Sequence, residues 1–169
     1  LKKTIRVNGI SRFSTQGDIR LLDMMEQLGC RVESGPNRVE VIGRALAAGD
    51  LTLDLGDMPD MVPTMGVLAA FREGRTKIIN VAHLRIKESN RLAAMVSELN
   101  RIGIKASELP DGLEIEGGRP HGADIETYND HRIAMSFAVA GLAAPGIVIG
   151  DRKCVDKSFP EFWRELAKI

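Results

Sequence analysis

The chain has 169 residues, 44% of them hydrophobic and 27% charged, which is enough apolar content for a folded core and too much for a disordered segment. Its 23 Lys and Arg balance 23 Asp and Glu, which excludes the basic excess of a nucleic-acid binder, so any anion site must be local. No apolar run approaches the roughly 18 residues of a membrane span, and Cys30 and Cys154, far apart and without metal-ligand spacing, read as two buried reduced thiols.

In chain order, TIRVNG at residues 4–9 alternates as a strand does. Leu21, Leu22, Met25 and Leu28 have the spacing of a helix packed by one face, and Gly29 follows as its C-terminal cap. Alternation in RVEV after the turn signal SGPN predicts a β-hairpin. Asp60 opens a helix through MGVLAAF, which has little polar face, and KIINVA reads as a strand. HLRIKESNR, residues 83–91, sets Lys87 and Arg91 at the start of a helix whose apolar positions are Met95, Val96, Leu99 and Ile102. Gly103 caps that helix, and a second hairpin follows around LPDG. In NDHRIAM, Asn129 or Asp130 is the expected N-cap, with His131 and Arg132 in the first turn and a local ion pair between Arg132 and Asp130. GIVIGD is a strand, and in KSFPE the residues Ser158, Pro160 and Glu161 read as a capping box with Lys157 just ahead of it.

Parts of this pattern recur. Helix, glycine and hairpin occur twice, with Gly29 and Gly103, Pro36 and Pro110, and Val41 and Ile115 each 74 positions apart. Asp60 and Asp130, and Lys87 and Lys157, are each 70 apart. The expected fold class is therefore α/β (α+β), with apolar helices inside and mixed sheets outside. About two and a half strand-and-helix units are expected in a single domain over residues 1–169, the amino-terminal unit being incomplete.

A helix start carries unpaired N–H groups and roughly half a positive elementary charge, so cations are disfavoured there. Lys87 and Arg91, four apart, would also repel on a shared face, and Glu88 offsets only Arg91. Singly, each cation has an ordinary explanation: Lys87 as a solvated charge, Arg132 in a local pair, His131 as a satisfied polar residue. Their recurrence at three helix starts points instead to a phosphate or carboxylate site.

LRIKESNRL, TYNDHRIAMSFAVAGL and DRKCVDKSFPEFW, in this order after DMPDMVPTMGVLAAF, resemble the carboxy-terminal half of the 5-enolpyruvylshikimate-3-phosphate synthase family. GISRFSTQGD and the first hairpin look like the same family, so nearly the whole chain is covered. The resemblance implies two similar domains of three βαβαββ units each, this chain matching the carboxy-terminal one. It implies transfer of the enolpyruvyl group of phosphoenolpyruvate to the 5-hydroxyl of shikimate 3-phosphate, with release of phosphate and without a metal or other cofactor. By the same resemblance Arg91 and Arg132 clamp the phosphoenolpyruvate carboxylate, where a guanidinium fork suits it. Lys157 binds the phosphate, Asp60 holds and helps deprotonate the attacking hydroxyl, and Lys87 sits between the substrates. Glu88 moves the proton at the methylene carbon, and His131 supports the site. The implied partners are the two substrates and the missing amino-terminal domain, with no nucleic acid and no membrane, in the cytoplasm.

Two departures stand out. The family pattern has Asp where this chain has Asn90, which puts the local geometry of Lys87 and Arg91 in question. The family's site also lies between two domains, so this chain is expected to be half an enzyme and inactive alone. A UDP-N-acetylglucosamine enolpyruvyl transferase and a non-catalytic anion-binding domain on the same scaffold are the alternatives.

Overall fold

Alternating runs become strands and the longer apolar runs become helices in a computed structural model that describes residues 3–169. The chain divides between Gly49 and Asp50 into two compact units. Among the described residues no helix is long and apolar enough to cross a membrane.

The first unit contains β1 (Thr4–Asn8), α1 (Leu21–Gln27), β2 (Arg31–Gly35) and β3 (Arg38–Ile42), with a 3₁₀ turn over Gly17–Arg20 leading into α1. Its sheet has the order β1-β3-β2 and is antiparallel throughout. Leu22 and Met24 are buried on α1, Leu28 at its C-cap and Val39 on β3. Arg12 ties the preceding loop to α1 by pairing with Asp23 and Glu26, both at 2.5 Å.

The second unit runs β4 (Leu51–Asp54), α2 (Val62–Ala70), β5 (Gly74–Ile79), α3 (Arg91–Arg101), β6 (Lys105–Leu109), β7 (Gly112–Gly117), β8 (Asp124–Ile125), α4 (His131–Ala140), β9 (Val148–Ile149) and α5 (Phe162–Leu166). Its main sheet has the order β4-β5-β7-β6, with β4 and β5 parallel and the other pairs antiparallel. β8 and β9 form a separate parallel pair. Thr76 and Ile78 of β5 and Leu113 and Ile115 of β7 are buried, while Arg75 and Lys77 turn outward and pair with Glu114. One sheet face is therefore apolar and the other solvated, as alternation dictates. The nearly all-apolar α2 packs on α4 and on that sheet, while α3 lies against β6. This is the mixed α/β arrangement expected, with apolar helices covered by mixed sheet.

Helix, glycine turn and hairpin occur in both units. Gly29 and Gly103 have φ of +92° and +82°. The Cys30 and Ile104 N–H groups donate back to the carbonyls of Met25 and Leu99, both at 2.9 Å. Gly29 and Gly103 donate to Glu26 and Asn100, both at 3.0 Å. These are two Schellman turns, where glycine relieves the left-handed backbone. The hairpins then pair in equivalent register, Arg31 with Ile42 and Lys105 with Glu116.

Two local expectations are corrected. α3 begins at Arg91, not around Lys87, because Asn90 is the N-cap: its side-chain oxygen accepts the Ala93 N–H at 3.2 Å. Lys87 is extended, just after a 3₁₀ turn over Ala82–Ile86, so it shares no helical face with Arg91. Ser158 does not cap a helix either. The Val155 carbonyl accepts the Ser158 and Phe159 N–H groups and the Ser158 hydroxyl, which folds Ser158 into the end of a 3₁₀ turn, and α5 starts only at Phe162. Both cysteines are free, Cys154 buried and Cys30 only partly so.

Candidate active site

The starts of α3 and α4 and the 3₁₀ turn Pro59–Met61 ahead of α2 bring their polar residues together through Arg91. This side chain is 0% exposed, and every arm of its guanidinium meets a carboxylate. Nε donates to Asp130 Oδ2 at 2.9 Å, Nη1 to Asp60 Oδ1 at 3.1 Å and Nη2 to Glu88 Oε2 at 2.8 Å. A buried charge is tolerated only when paired in this way. Arg132 Nη2 donates to the other oxygen of Asp60 at 2.6 Å, so Asp60 bridges both arginines. The expected ion pair of Arg132 with Asp130 is thereby corrected: Asp130 receives the Arg132 backbone N–H at 2.9 Å, while the Arg132 side chain reaches 72 positions back.

Asp130 is fully buried and does two jobs at once, capping α4 and gripping Arg91, with the Ser89 hydroxyl donating to it at 3.2 Å. Burial by itself would raise its carboxyl, but Arg91, by hydrogen bond and charge, together with the Arg132 amide and Ser89, outweighs burial and holds the group below the ordinary carboxylate value. His131 occupies the first position of α4, nine-tenths buried, and its Nδ1 finds no hydrogen-bond partner among the described residues. Burial, followed by the charge of Arg132, pushes its imidazole below the ordinary range, so it is neutral near pH 7. Asp60 is not a helix cap as its position suggested, because its oxygens are given to the two arginines.

Lys157 is exposed and donates to the Asn129 carbonyl at 3.0 Å. Lys87 is exposed and makes no hydrogen bond or ion pair among the described residues. Of the residues singled out from sequence, Asp60, Glu88, Arg91 and Arg132 thus form one bonded network, His131 and Lys157 adjoin it through the 129–132 segment, and Lys87 stands apart. Asp130 and the Asn129 carbonyl, whose residues were read from sequence only as candidate helix caps, and Ser89, which was not singled out, join them. The helix-capping signal at Asp130 was visible, but its partner Arg91 lies 39 positions away. No group of three or more His, Cys, Asp and Glu side chains with metal-binding geometry occurs among the described residues.

The arrangement presents fixed positive charge from Arg132, Lys157 and the start of α4 beside two part-exposed carboxylates, Asp60 and Glu88. That combination can hold an anion and move a proton next to it. The sequence profile of EPSP synthase (3-phosphoshikimate 1-carboxyvinyltransferase) matches residues 1–166. The chain belongs to the EPSP synthase family. A 3-phosphoshikimate 1-carboxyvinyltransferase of Syntrophobacter fumaroxidans is 50% identical over 165 residues, covering 95% of this chain and 38% of the relative. The protein of the same name from Thermococcus kodakarensis is 47% identical, covering 98% of this chain and 41% of the relative. EPSP synthase from Acinetobacter baumannii superposes with a TM-score of 0.80 at 30% identity, over 98% of this chain and 41% of that one. The enolpyruvyl transferase NikO from Streptomyces tendae shares the fold, with a TM-score of 0.72 at 22% identity over 98% of this chain and 38% of that one. This member of the EPSP synthase family thus spans about two fifths of the length of the relatives it matches.

Proposed function

We propose that this chain supplies one half of the active site of an enzyme that transfers the enolpyruvyl group of phosphoenolpyruvate to the 5-hydroxyl of shikimate 3-phosphate, releasing phosphate. The observation that carries the reading is Asp60 bridging Arg91 and Arg132 beside Glu88, in a chain whose relatives are named for this reaction. The chemistry is an addition followed by an elimination. As the hydroxyl oxygen bonds to C2 of phosphoenolpyruvate, its proton passes toward Asp60 while C3 gains a proton from Glu88. C3 then returns a proton to Glu88 as the C2–O bond to phosphate breaks and the double bond re-forms, the departing phosphate taking up the proton held at Asp60. Lys157 and the start of α4 face the charge of the departing phosphate, and Lys87, exposed and without an ion pair among the described residues, is placed to meet either substrate.

Arg132 is the arginine better disposed to meet a carboxylate directly, being 28% exposed and engaged through a single nitrogen. Arg91 is enclosed by three carboxylates, so a substrate carboxylate reaches it only by displacing Asp60 or Glu88. Its role in this reading is to hold Asp60, Glu88 and Asp130 in place as much as to bind. Asn90 keeps the helix-start role open to either Asn or Asp, since both are strong caps, so its departure from the family pattern leaves α3 correctly begun.

The remaining substrate contacts and a cytoplasmic setting belong to the protein beyond these residues. Alone, the chain binds phosphoenolpyruvate weakly and does not turn over. The test is a phosphoenolpyruvate titration of the isotope-labelled chain by two-dimensional NMR, with a Lys87→Ala/Lys157→Ala variant that removes only exposed charges. Shifts localised to residues 87–88, 130–132 and 157, and lost in the variant, are expected. Shifts scattered elsewhere, or turnover by the isolated chain, would refute the half-site.

A further inference from the structure

One buried carboxylate lies outside this network and is absent from the chemistry above. Glu98 sits on α3 about two turns beyond Arg91 and is fully buried. Its Oε1 accepts the Tyr128 hydroxyl at 2.8 Å, and its Oε2 accepts the Glu126 backbone N–H at 3.1 Å and meets Arg101 Nε at 3.0 Å. Two of these three donors lie within the four residues that precede Asp130. In that stretch Tyr128 and Asn129 have φ of +55° and +54°, successive left-handed residues with no glycine, which persist only where surroundings impose them. The turn they make determines where the Asn129 carbonyl stands to receive Lys157 and where Asp130 stands to receive Arg91.

We propose that Glu98 is a positioning residue for the anion half-site: through the Tyr128 hydroxyl it fixes the left-handed turn at Tyr128 and Asn129 and so places Lys157 and the start of α4. α3 then grips the 126–130 segment at two points, with Glu98 on Glu126 and Tyr128, and with Arg91 on Asp130. Burial, the largest influence on Tyr128, raises its phenol above the ordinary value, which keeps it a donor near pH 7. The role rests on the anion-binding reading of Lys157 and Arg132.

The experiment compares the labelled wild-type chain with Tyr128→Phe in two readouts. Three-bond couplings across the φ bonds of residues 128 and 129 separate the left-handed value from a helical one. A titration with inorganic phosphate, followed at the Arg132 amide and the Lys157 ammonium, reports the site. Tyr128→Phe, which takes the hydroxyl from Ser97 as well as from Glu98, is expected to lose the positive-φ couplings at Asn129 and to weaken phosphate binding at least about fivefold, the effect of one hydrogen bond or more. Glu98→Gln, isosteric but left with one acceptor oxygen for the loop's two donors, is expected to fall between, and serves if Tyr128→Phe does not fold. Arg101→Ala removes only the Glu98 partner on α3 and is expected to leave both readouts unchanged. Retained positive-φ couplings in Tyr128→Phe overturn the proposal, and so does their loss with phosphate affinity intact. Absence of phosphate binding by the wild-type chain would instead refute the half-site reading, with the couplings still deciding whether Glu98 holds the turn.

Discussion

Arg91 and Lys157 are both cations of the proposed site, yet their burial separates what each does for the molecule. Arg91→Ala leaves Asp130 charged, fully buried and without its main partner, a loss of about 3–5 kcal/mol. Lys157→Ala removes an exposed ammonium from a carbonyl and is expected to change stability by less than about 0.5 kcal/mol. Urea denaturation of the two variants checks this, and equal losses would mean the three-carboxylate cage does not hold the fold. The same residues set a pH dependence. His131 is depressed by burial, so as pH falls below about 6.5 the unfolded chain takes up a proton that the folded chain refuses, and stability declines. Asp130, also depressed, adds stability at higher pH that is lost as pH falls from about 4 through its folded value. The urea midpoint is therefore expected to be level between about pH 7 and 8, to drop below about 6.5, to drop again in acid, and to fall at alkaline pH, where burial keeps the Cys154 thiol and the Tyr128 phenol protonated after the unfolded chain has lost those protons. His131→Gln is expected to remove the first drop, and an unchanged profile in that variant would assign it to another group. At this scale the sequence revealed residue types but not pairings. The spacing of Asp60 and Arg132 carries no trace of the bond between them, and their place in a site could be read only through recurrence and family resemblance.

Helix boundaries depend on which side chain completes the first turn, and here Asn90 decides it. Its oxygen satisfies the Ala93 N–H, so Asn90→Ala is expected to destabilise by about 1 kcal/mol while Asn90→Asp stays within about 0.5 kcal/mol of wild type. A loss in Asn90→Asp as large as in Asn90→Ala would show that a carboxylate at this position disturbs the network around Arg91. The two Schellman glycines offer a sharper comparison because they occupy the same place in equivalent turns. A methyl group at Gly103 would lie 2.6 Å from His121 Cδ2, whereas at Gly29 the first contact is the Ala45 carbonyl at 3.3 Å. Both substitutions also pay the left-handed penalty of roughly 1–2 kcal/mol, so thermal melting should rank Gly103→Ala below Gly29→Ala, and equal losses would mean that the exposed His121 ring turns aside at little cost. These turns and hairpins were legible because Gly, Pro and alternation are local signals. Ser158 misled for the opposite reason: the pattern of a capping box was present, but the carbonyl of Val155 had already claimed its hydroxyl and the following backbone.

For the molecule as a whole, the mixed α/β class followed from apolar helices too greasy to stand on a surface, whereas how much core each unit owns had no signature in the sequence. The two hairpins make the difference measurable. β2 and β6 have the same alternation of part-buried and exposed residues and pair in equivalent register with β3 and β7. Their partners differ: β7 buries Gly112, Leu113 and Ile115, while β3 buries Val39 alone. β7 is also central, with β5 on its other side and α2 packed on it, whereas β3 has β1, every residue of which is exposed. Local opening costs the apolar area that becomes wetted, at about 25 cal/mol for each Å², so hairpins of equal hydrogen bonding need not open equally. Amides of β6 and β7 are therefore expected to exchange at least about tenfold more slowly than the corresponding amides of β2 and β3, a gap of about 1.4 kcal/mol. Native-state hydrogen exchange read residue by residue, pairing Val41 with Ile115 and Val39 with Leu113, gives the comparison directly. Equal protection would mean that the division at Gly49 is geometric only and that the whole chain opens as one cooperative structure.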